Sequence, residues 1–178
     1  MSTTREIIRT AIGPLFVGAS GAGLHRVDFV RPGRDEAWLD SALELDAARA
    51  RDAAPAGSAR ATLAEALGQL DAYFRGRPVE FALPLAPRGT AFQRAVWSTL
   101  CAIPAGERRS YRQIAGAVER PNGARAVGQA VSRNPLAVVV PCHRVVGSDG
   151  SLTGYAGGIE RKRWLLARDA EASPGPAR

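Results

Sequence analysis

A thiol, an imidazole and a guanidinium follow one another at Cys142, His143 and Arg144, inside the stretch VVVPCHRVVG. The chain has only 2 Cys and 2 His, and one of each stands here. A thiol becomes a nucleophile when a neighbouring base or cation stabilises its thiolate, and His143 and Arg144 offer both. Successive side chains of an extended strand point to opposite faces, so the pair can cooperate only if the chain turns after Pro141. A turn or short helix at that point also puts the thiol near a helix N-terminus, which favours the thiolate. The competing reading is an inert buried thiol, and the dipeptide alone leaves both open. Cys101, on an apolar helical stretch without polar neighbours, reads as inert. Zinc needs about four ligands at recognisable spacing, which Cys101, Cys142, His143 and His25 do not offer, so no metal is expected. His25 falls in a strand pattern and reads as a core or surface residue.

The elements that must hold this motif divide into two parts. In the first, GPLFVGASGAGLHRVDFV alternates around Gly-rich turns as a β-hairpin does, with Leu15, Val17, Leu24 and Val27 facing inward. DEAWLDSALELDAARARDAAPAGSAR reads as a helix and a loose connection. ATLAEALGQLDAYFRG has Leu63, Leu67, Leu70 and Phe74 at helical spacing and stops at Gly76. RPVEFALPLAPRGT reads as a short strand with Pro/Gly punctuation, and a domain boundary is expected near Pro87 to Gly89. The second part opens with a helix over TAFQRAVWSTLCAI, capped by Thr90, with Phe92, Val96 and Leu100 on one face. IPAGERRS is a loop, Ser110 caps YRQIAGAV, ERPNG breaks it, and ARAVGQAVS is a second short helix. Two short helices across a tight turn form a helix-turn-helix pattern. A strand then leads into Pro141, a Gly-rich loop follows, and IERKRWLLARDAEA closes the domain as a helix with Trp164, Leu165 and Leu166 buried. SPGPAR reads as a disordered tail. The expected class is α+β: a small N-terminal α/β domain over 1–87, with a hairpin-containing sheet, and a mainly helical domain over 88–172, with 173–178 as tail.

Composition fits a globular intracellular protein: 46% hydrophobic and 23% charged residues, with no signal-peptide or membrane-span pattern. A cytoplasmic setting is expected, where two distant cysteines stay reduced. The net charge is +7 at pH 7, and Lys162 is the only lysine among 24 Lys and Arg residues. Arginine pairs bidentately with phosphate and stacks on bases, which makes nucleic acid a plausible partner. An arginine bias also arises from a GC-rich genome, so charge alone does not choose.

The motifs together resemble a family. PCHRV, preceded by RAVGQAVSRNP and followed by GSLTGYAGGIERKRWLL, with GTAFQRAVWSTLCAIPAGERRSYRQIA upstream, is similar to the O6-alkylguanine-DNA alkyltransferases, also called methylated-DNA–protein-cysteine methyltransferases. The resemblance covers nearly all of the second part and is weaker over the first. It implies stoichiometric DNA repair: an alkyl group passes from O6-alkylguanine, with O4-alkylthymine a further substrate class, to Cys142, and the protein is spent. It implies that His143 deprotonates the thiol through a water, that Asn134 braces the active-site turn, and that Tyr111 donates a proton to the departing guanine. Arg125 matches the arginine finger that fills the gap left by a flipped base, and flipping is needed because the alkyl carbon is out of reach inside the stack. Ala126, Gly128, Gln129 and Ser132 share the recognition helix with Arg125 and are expected on DNA, in the minor groove. Carbonyls of Cys142 and Val145 would read the guanine amine, with Tyr155 and Ala156 lining the pocket.

Two positions depart from the family pattern. Asp169 stands where a Glu usually holds the histidine, and Ala156 where some members carry a Ser. No cofactor, no membrane and a monomeric state on double-stranded DNA are implied. Taken singly, Tyr111 also reads as a core aromatic, Asn134 as a turn residue before Pro135, and Arg125 as a solvated arginine. The competing functions are a non-catalytic lesion-binding module of the same fold, a sequence-specific regulator and a thiol hydrolase. Cys142 argues against the first, since such modules replace the reactive cysteine. The Cys-His pair is unexplained by the second, and no further partner histidine supports the third.

Overall fold

The computed structural model describes residues 3–30 and 57–172, and the chain divides into two compact units, Met1–Pro87 and Arg88–Arg178. Most of the expected helix and loose connection after Arg34, and the expected tail 173–178, lie outside the described residues.

In the first unit β1 (Thr3–Ile8), β2 (Leu15–Ser20) and β3 (Gly23–Phe29) form an antiparallel sheet in the order β1-β2-β3. The hairpin reading of β2 and β3 holds: Val17 faces Val27 across the ladder, and Leu15, Val17, Leu24 and Val27 are fully buried. Each such side chain contributes about 1.5–3 kcal/mol by leaving water. In the sequence β1 carries no alternating apolar signal, since its two apolar residues, Ile7 and Ile8, are adjacent at its end. Gly23 allows the tight turn, with φ +134°; a Cβ there would also lie 2.3 Å from the Pro84 carbonyl oxygen.

Helix α1 (Ala59–Phe74) is capped by Ser58, whose hydroxyl accepts from the Ala61 N–H at 3.2 Å, and it packs on the sheet. Leu63, Leu67 and Leu70 face the core as expected, but Tyr73 takes the place assigned to Phe74, which is only half-buried. The expected strand in RPVEFALPLAPRGT does not form. Its prolines, Pro78, Pro84 and Pro87, remove ladder donors. Only Leu85 bridges to Leu24, through Leu24 N–H to Pro84 at 2.7 Å and Ala86 N–H to Leu24 at 2.8 Å.

The second unit carries α2 (Ala91–Cys101), β4 (Arg109–Ser110), α3 (Tyr111–Ala117), α4 (Ala124–Ser132), β5 (Val145–Val146) and α5 (Ile159–Ala172). Thr90 and Ser110 each build a reciprocal capping box, with Gln93 and Gln113 respectively, as their sequence positions suggested. Val96 and Leu100 of α2 are buried, Phe92 is half-buried, and Trp97 takes the core position instead. Its indole N–H donates to the Ala130 carbonyl at 2.9 Å, tying α2 to the end of α4. Cys101 is exposed, because the buried face of α2 runs through Val96, Trp97 and Leu100 and leaves the next residue on the rim. On α5, Leu165 and Leu166 are buried and Trp164 only half so.

Candidate active site

The largest departure from the sequence reading lies just before the thiol. Val138, Val139 and Val140 are buried, yet they form turns and not a strand, and Val138 sits at φ +71°, a conformation unfavourable for a β-branched residue. The surrounding bonds hold it there: Val140 N–H to Leu136 at 2.8 Å and Val139 N–H to Ala137 at 2.9 Å. Asn134 closes this loop. Its amide donates to the Val140 carbonyl at 2.9 Å, and its side-chain oxygen accepts from the Leu136 N–H at 3.0 Å. The turn after Pro141 is a single 3₁₀ turn, Cys142–Arg144, so successive side chains fan out around a helix axis instead of alternating between two faces.

Cys142 and His143 are both buried. Burial raises the Cys142 thiol above its ordinary pKa, while hydrogen bonding by Asn134 and Tyr155 and the charge of Lys162 oppose that rise. Arg144 does not act on the thiol as its adjacency suggested. Its Nε donates to Asp169 Oδ2 at 2.6 Å and its Nη1 to the Ile103 carbonyl, just past the end of α2. The cation that acts on the thiol is Lys162 of α5, fully buried, whose ammonium donates to the carbonyls of Val145 at 2.6 Å and Thr153 at 2.9 Å. Burial lowers the Lys162 pKa, and the Cys142 thiolate would raise it. Lys162 was missed as a site residue, though it was legible: Lys162, Leu165, Leu166 and Asp169 lie at i, i+3, i+4 and i+7 on α5, and all four are buried.

The Nε2 of His143 lies 2.9 Å from Asp169 Oδ2, so with the carboxylate ionised Nε2 carries the proton and donates. Its Nδ1 is buried without a hydrogen-bond partner among the described residues. Burial lowers the His143 pKa, and the Asp169 hydrogen bond and charge only partly oppose this, so the ring is neutral near pH 7 with its Nδ1 lone pair available. Burial disfavours the Asp169 charge, but hydrogen bonds from His143 and Arg144 outweigh it and hold the carboxyl below the usual carboxylate range.

One short pairing brings Tyr111 to the site. β4 and β5 run parallel, with Arg109 opposite Val145 and Ser110 opposite Val146. That pairing brings the start of α3 beside the end of the 3₁₀ turn. Tyr111, the first residue of α3, donates its hydroxyl to the Thr153 carbonyl at 3.4 Å, and its raised pKa, from burial, keeps the phenol protonated. The Tyr155 hydroxyl is buried, Val145 is fully buried and Ala156 is exposed. On α4, Val127, Ala130 and Val131 are buried, while Arg125, Ala126, Gln129 and Ser132 form the exposed face. Gly128 is half-buried between them, and a Cβ there would touch the Tyr111 ring at 3.8 Å. His25 lies on β3 in the other unit. Among the described residues, no group of three or more His, Cys, Asp or Glu side chains is gathered as a metal ion requires, and no helix is long and apolar enough to cross a membrane.

Comparison with known proteins agrees with this geometry at both ends of the chain. Residues 91–171 match the model of the 6-O-methylguanine DNA methyltransferase DNA binding domain, and residues 4–87 that of the same protein's ribonuclease-like domain. The chain belongs to the 6-O-methylguanine DNA methyltransferase family. A methylated-DNA–protein-cysteine methyltransferase of Methanosarcina barkeri is 42% identical over 165 residues, which span 90% of this chain and 93% of that protein. One of Mycobacterium leprae is 58% identical over 103 residues, 58% of this chain and 62% of that protein. The crystal structure of the Mycobacterium tuberculosis O6-methylguanine methyltransferase superposes with a TM-score of 0.77 at 38% identity, covering 98% of this chain and 96% of that one. The structure of the Mycobacterium tuberculosis OGT in complex with DNA gives 0.76 at 38% identity, over 96% and 95% of the two chains. The family's reaction, methyl transfer from methylated DNA to a protein cysteine, needs one reactive thiol. In this methyltransferase Cys142 sits between a braced turn and a histidine–carboxylate pair.

Proposed function

We propose that this chain repairs double-stranded DNA by moving the alkyl group of O6-alkylguanine to Cys142 in a single turnover. The observation that carries the assignment is the placement of the His143 ring, its Nε2 committed to Asp169 and its Nδ1 buried without a partner among the described residues, next to a buried thiol. His143 Nδ1 takes the Cys142 proton through a bridging water. The sulfur attacks the alkyl carbon, the S–C bond forms as the C–O6 bond breaks, and the electron pair returns to the guanine ring. Tyr111 exchanges its bond to Thr153 for the guanine ring and donates the proton that neutralises it. Lys162 favours the thiolate by its charge. The thioether product is stable, so the protein is consumed.

The exposed face of α4, with Arg125, Ala126, Gln129 and Ser132 and with Gly128 at its edge, lies in the minor groove. Arg125 fills the space of the flipped nucleotide. The flipped base rests against Val145, Tyr155 and Ala156; with no hydroxyl at 156, only backbone N–H groups remain there for O6. The protein works as a cytoplasmic monomer, with residues 1–87 as a scaffold and 88–172 as the reacting domain.

The test is mass analysis of the Cys142 peptide after incubation with a duplex containing O6-methylguanine. One methyl per protein on Cys142 and its absence in Cys142→Ser are expected. Affinity without a mass shift would mean a lesion-binding module, and many turnovers per protein a hydrolase.

A further inference from the structure

One carboxylate oxygen in this site serves two donors. Asp169 Oδ2 accepts from His143 Nε2 at 2.9 Å and from Arg144 Nε at 2.6 Å, and it is nearly sealed from solvent, with Asp169 1% and Arg144 12% exposed. The same guanidinium donates to the carbonyl of Ile103, itself buried in the turn that follows α2. The guanidinium therefore spans two anchor points, one past α2 and one on α5, and its planar fork leaves the Asp169 carboxylate little freedom to rotate.

We propose that Arg144 is the positioning residue of the His143 base: its guanidinium fixes the orientation of the shared Asp169 oxygen and partly neutralises the charge that this carboxylate presents to the imidazole. This rests on the reading of His143 as the base that deprotonates Cys142. An Asp–His pair without a third partner gives the carboxylate's full charge to the ring and favours imidazolium, a form with no lone pair to receive a proton. A cation on the same oxygen counters that field. The charged and titratable groups around the ring are Asp169 and Lys162 on α5 and Cys142 and Arg144 in the 3₁₀ turn, with Cys101 at the end of α2 facing Arg144. Asp169 alone raises the His143 pKa; the charges of Arg144 and Lys162 lower it.

The experiment uses the full chain with Arg144→Met and Arg144→Lys. The His143 ring is titrated by nitrogen-15 NMR without DNA, and single-turnover transfer from an O6-methylguanine duplex is followed from pH 5 to 8.5. In Arg144→Met the ring midpoint is expected to rise by about one pH unit, the acid limb of transfer to move with it, and the rate at pH 7 to fall several-fold. Arg144→Lys restores the charge but cannot reach Asp169 and Ile103 together. Its midpoint returns towards that of the native chain while its rate stays several-fold low. An unchanged midpoint in Arg144→Met, with rates lowered equally at every pH, would overturn the proposal. Arg144→Gln, with the same expected shift, serves if the Met variant does not fold. A midpoint that moves while transfer ignores it upholds the positioning role and overturns the reading of His143 as base.

Discussion

Replacing Asp169 by Asn removes one charge from the oxygen that links His143 and Arg144, at almost constant volume. Two charge-assisted hydrogen bonds end on Oδ2, at 2.9 and 2.6 Å. Each contributes about 1.5–3 kcal/mol. An amide oxygen keeps one of them in neutral form and leaves the guanidinium without its counter-charge, so about 3 kcal/mol of stability is lost at pH 7. For a chain of this length that lowers Tm by roughly 6–12 °C. The pH dependence separates this cause from simple misfit. Asp169 is held below its ordinary pKa of 3.8 in the folded state, so the folded protein binds fewer protons there than the unfolded chain. Its stabilisation is fully present above the unfolded value and is lost as pH falls through the folded one. The gap between the native and Asp169→Asn proteins should therefore be constant from pH 7 to about 5 and shrink by about 1.4 kcal/mol per pH unit below about 4. Denaturant unfolding at pH 7, 5 and 3.5 measures it, and single-turnover transfer on the same samples should fall by about 10²–10³-fold through loss of the oriented imidazole. A gap that does not change below pH 4, or a normal transfer rate, refutes the reasoning.

Three further outcomes are expected. Asn134→Ala unties the turn before Pro141, orphans the Leu136 N–H and leaves the Val140 carbonyl with the Cys142 N–H alone; it should cost about 1–3 kcal/mol and slow alkylation of Cys142, read by urea unfolding and by thiol reactivity. Tyr111→Phe loses only a long 3.4 Å bond, so stability should change by less than about 0.5 kcal/mol while transfer slows about 10²-fold, measured on one preparation by thermal melting and quench kinetics. The buried His143 has a folded pKa below its ordinary value of 6.5, so the unfolded chain gains a proton first; stability should begin to fall as pH drops below about 6.5, and His143→Gln should lack that limb in pH-dependent melts.

How far the chain was legible depended on how local each cause was. The helix caps at Thr90 and Ser110 and the inward set Leu15, Val17, Leu24 and Val27 arise from spacings of two to four residues, and the structure reproduces them. The expected strand within 77–90 does not form because Pro78, Pro84 and Pro87 lack ladder donors, a loss that apolar composition does not register, and β1 leaves no alternating signal because its two apolar residues, Ile7 and Ile8, are adjacent. At Val138–Val140 three β-branched residues favour a strand, yet the Asn134 amide and the turn bonds outweigh that preference.

The sequence by itself determined which residues can react: a Pro-Cys-His-Arg succession, one Asp on the last helix, and a helix-turn-helix pattern with Arg125 on its second helix. Those depend on residue identity and short-range spacing. Tertiary structure alone decided which cation serves which group. Arg144 is adjacent to Cys142 in the chain but turns to Asp169 and Ile103, while Lys162, 20 residues from the thiol (162 minus 142), acts on it through charge. A 3₁₀ turn sends consecutive side chains in directions about 120° apart. Electrostatic energy depends on distance in space, not along the chain, and burial sharpens that dependence by removing the water that would otherwise screen it.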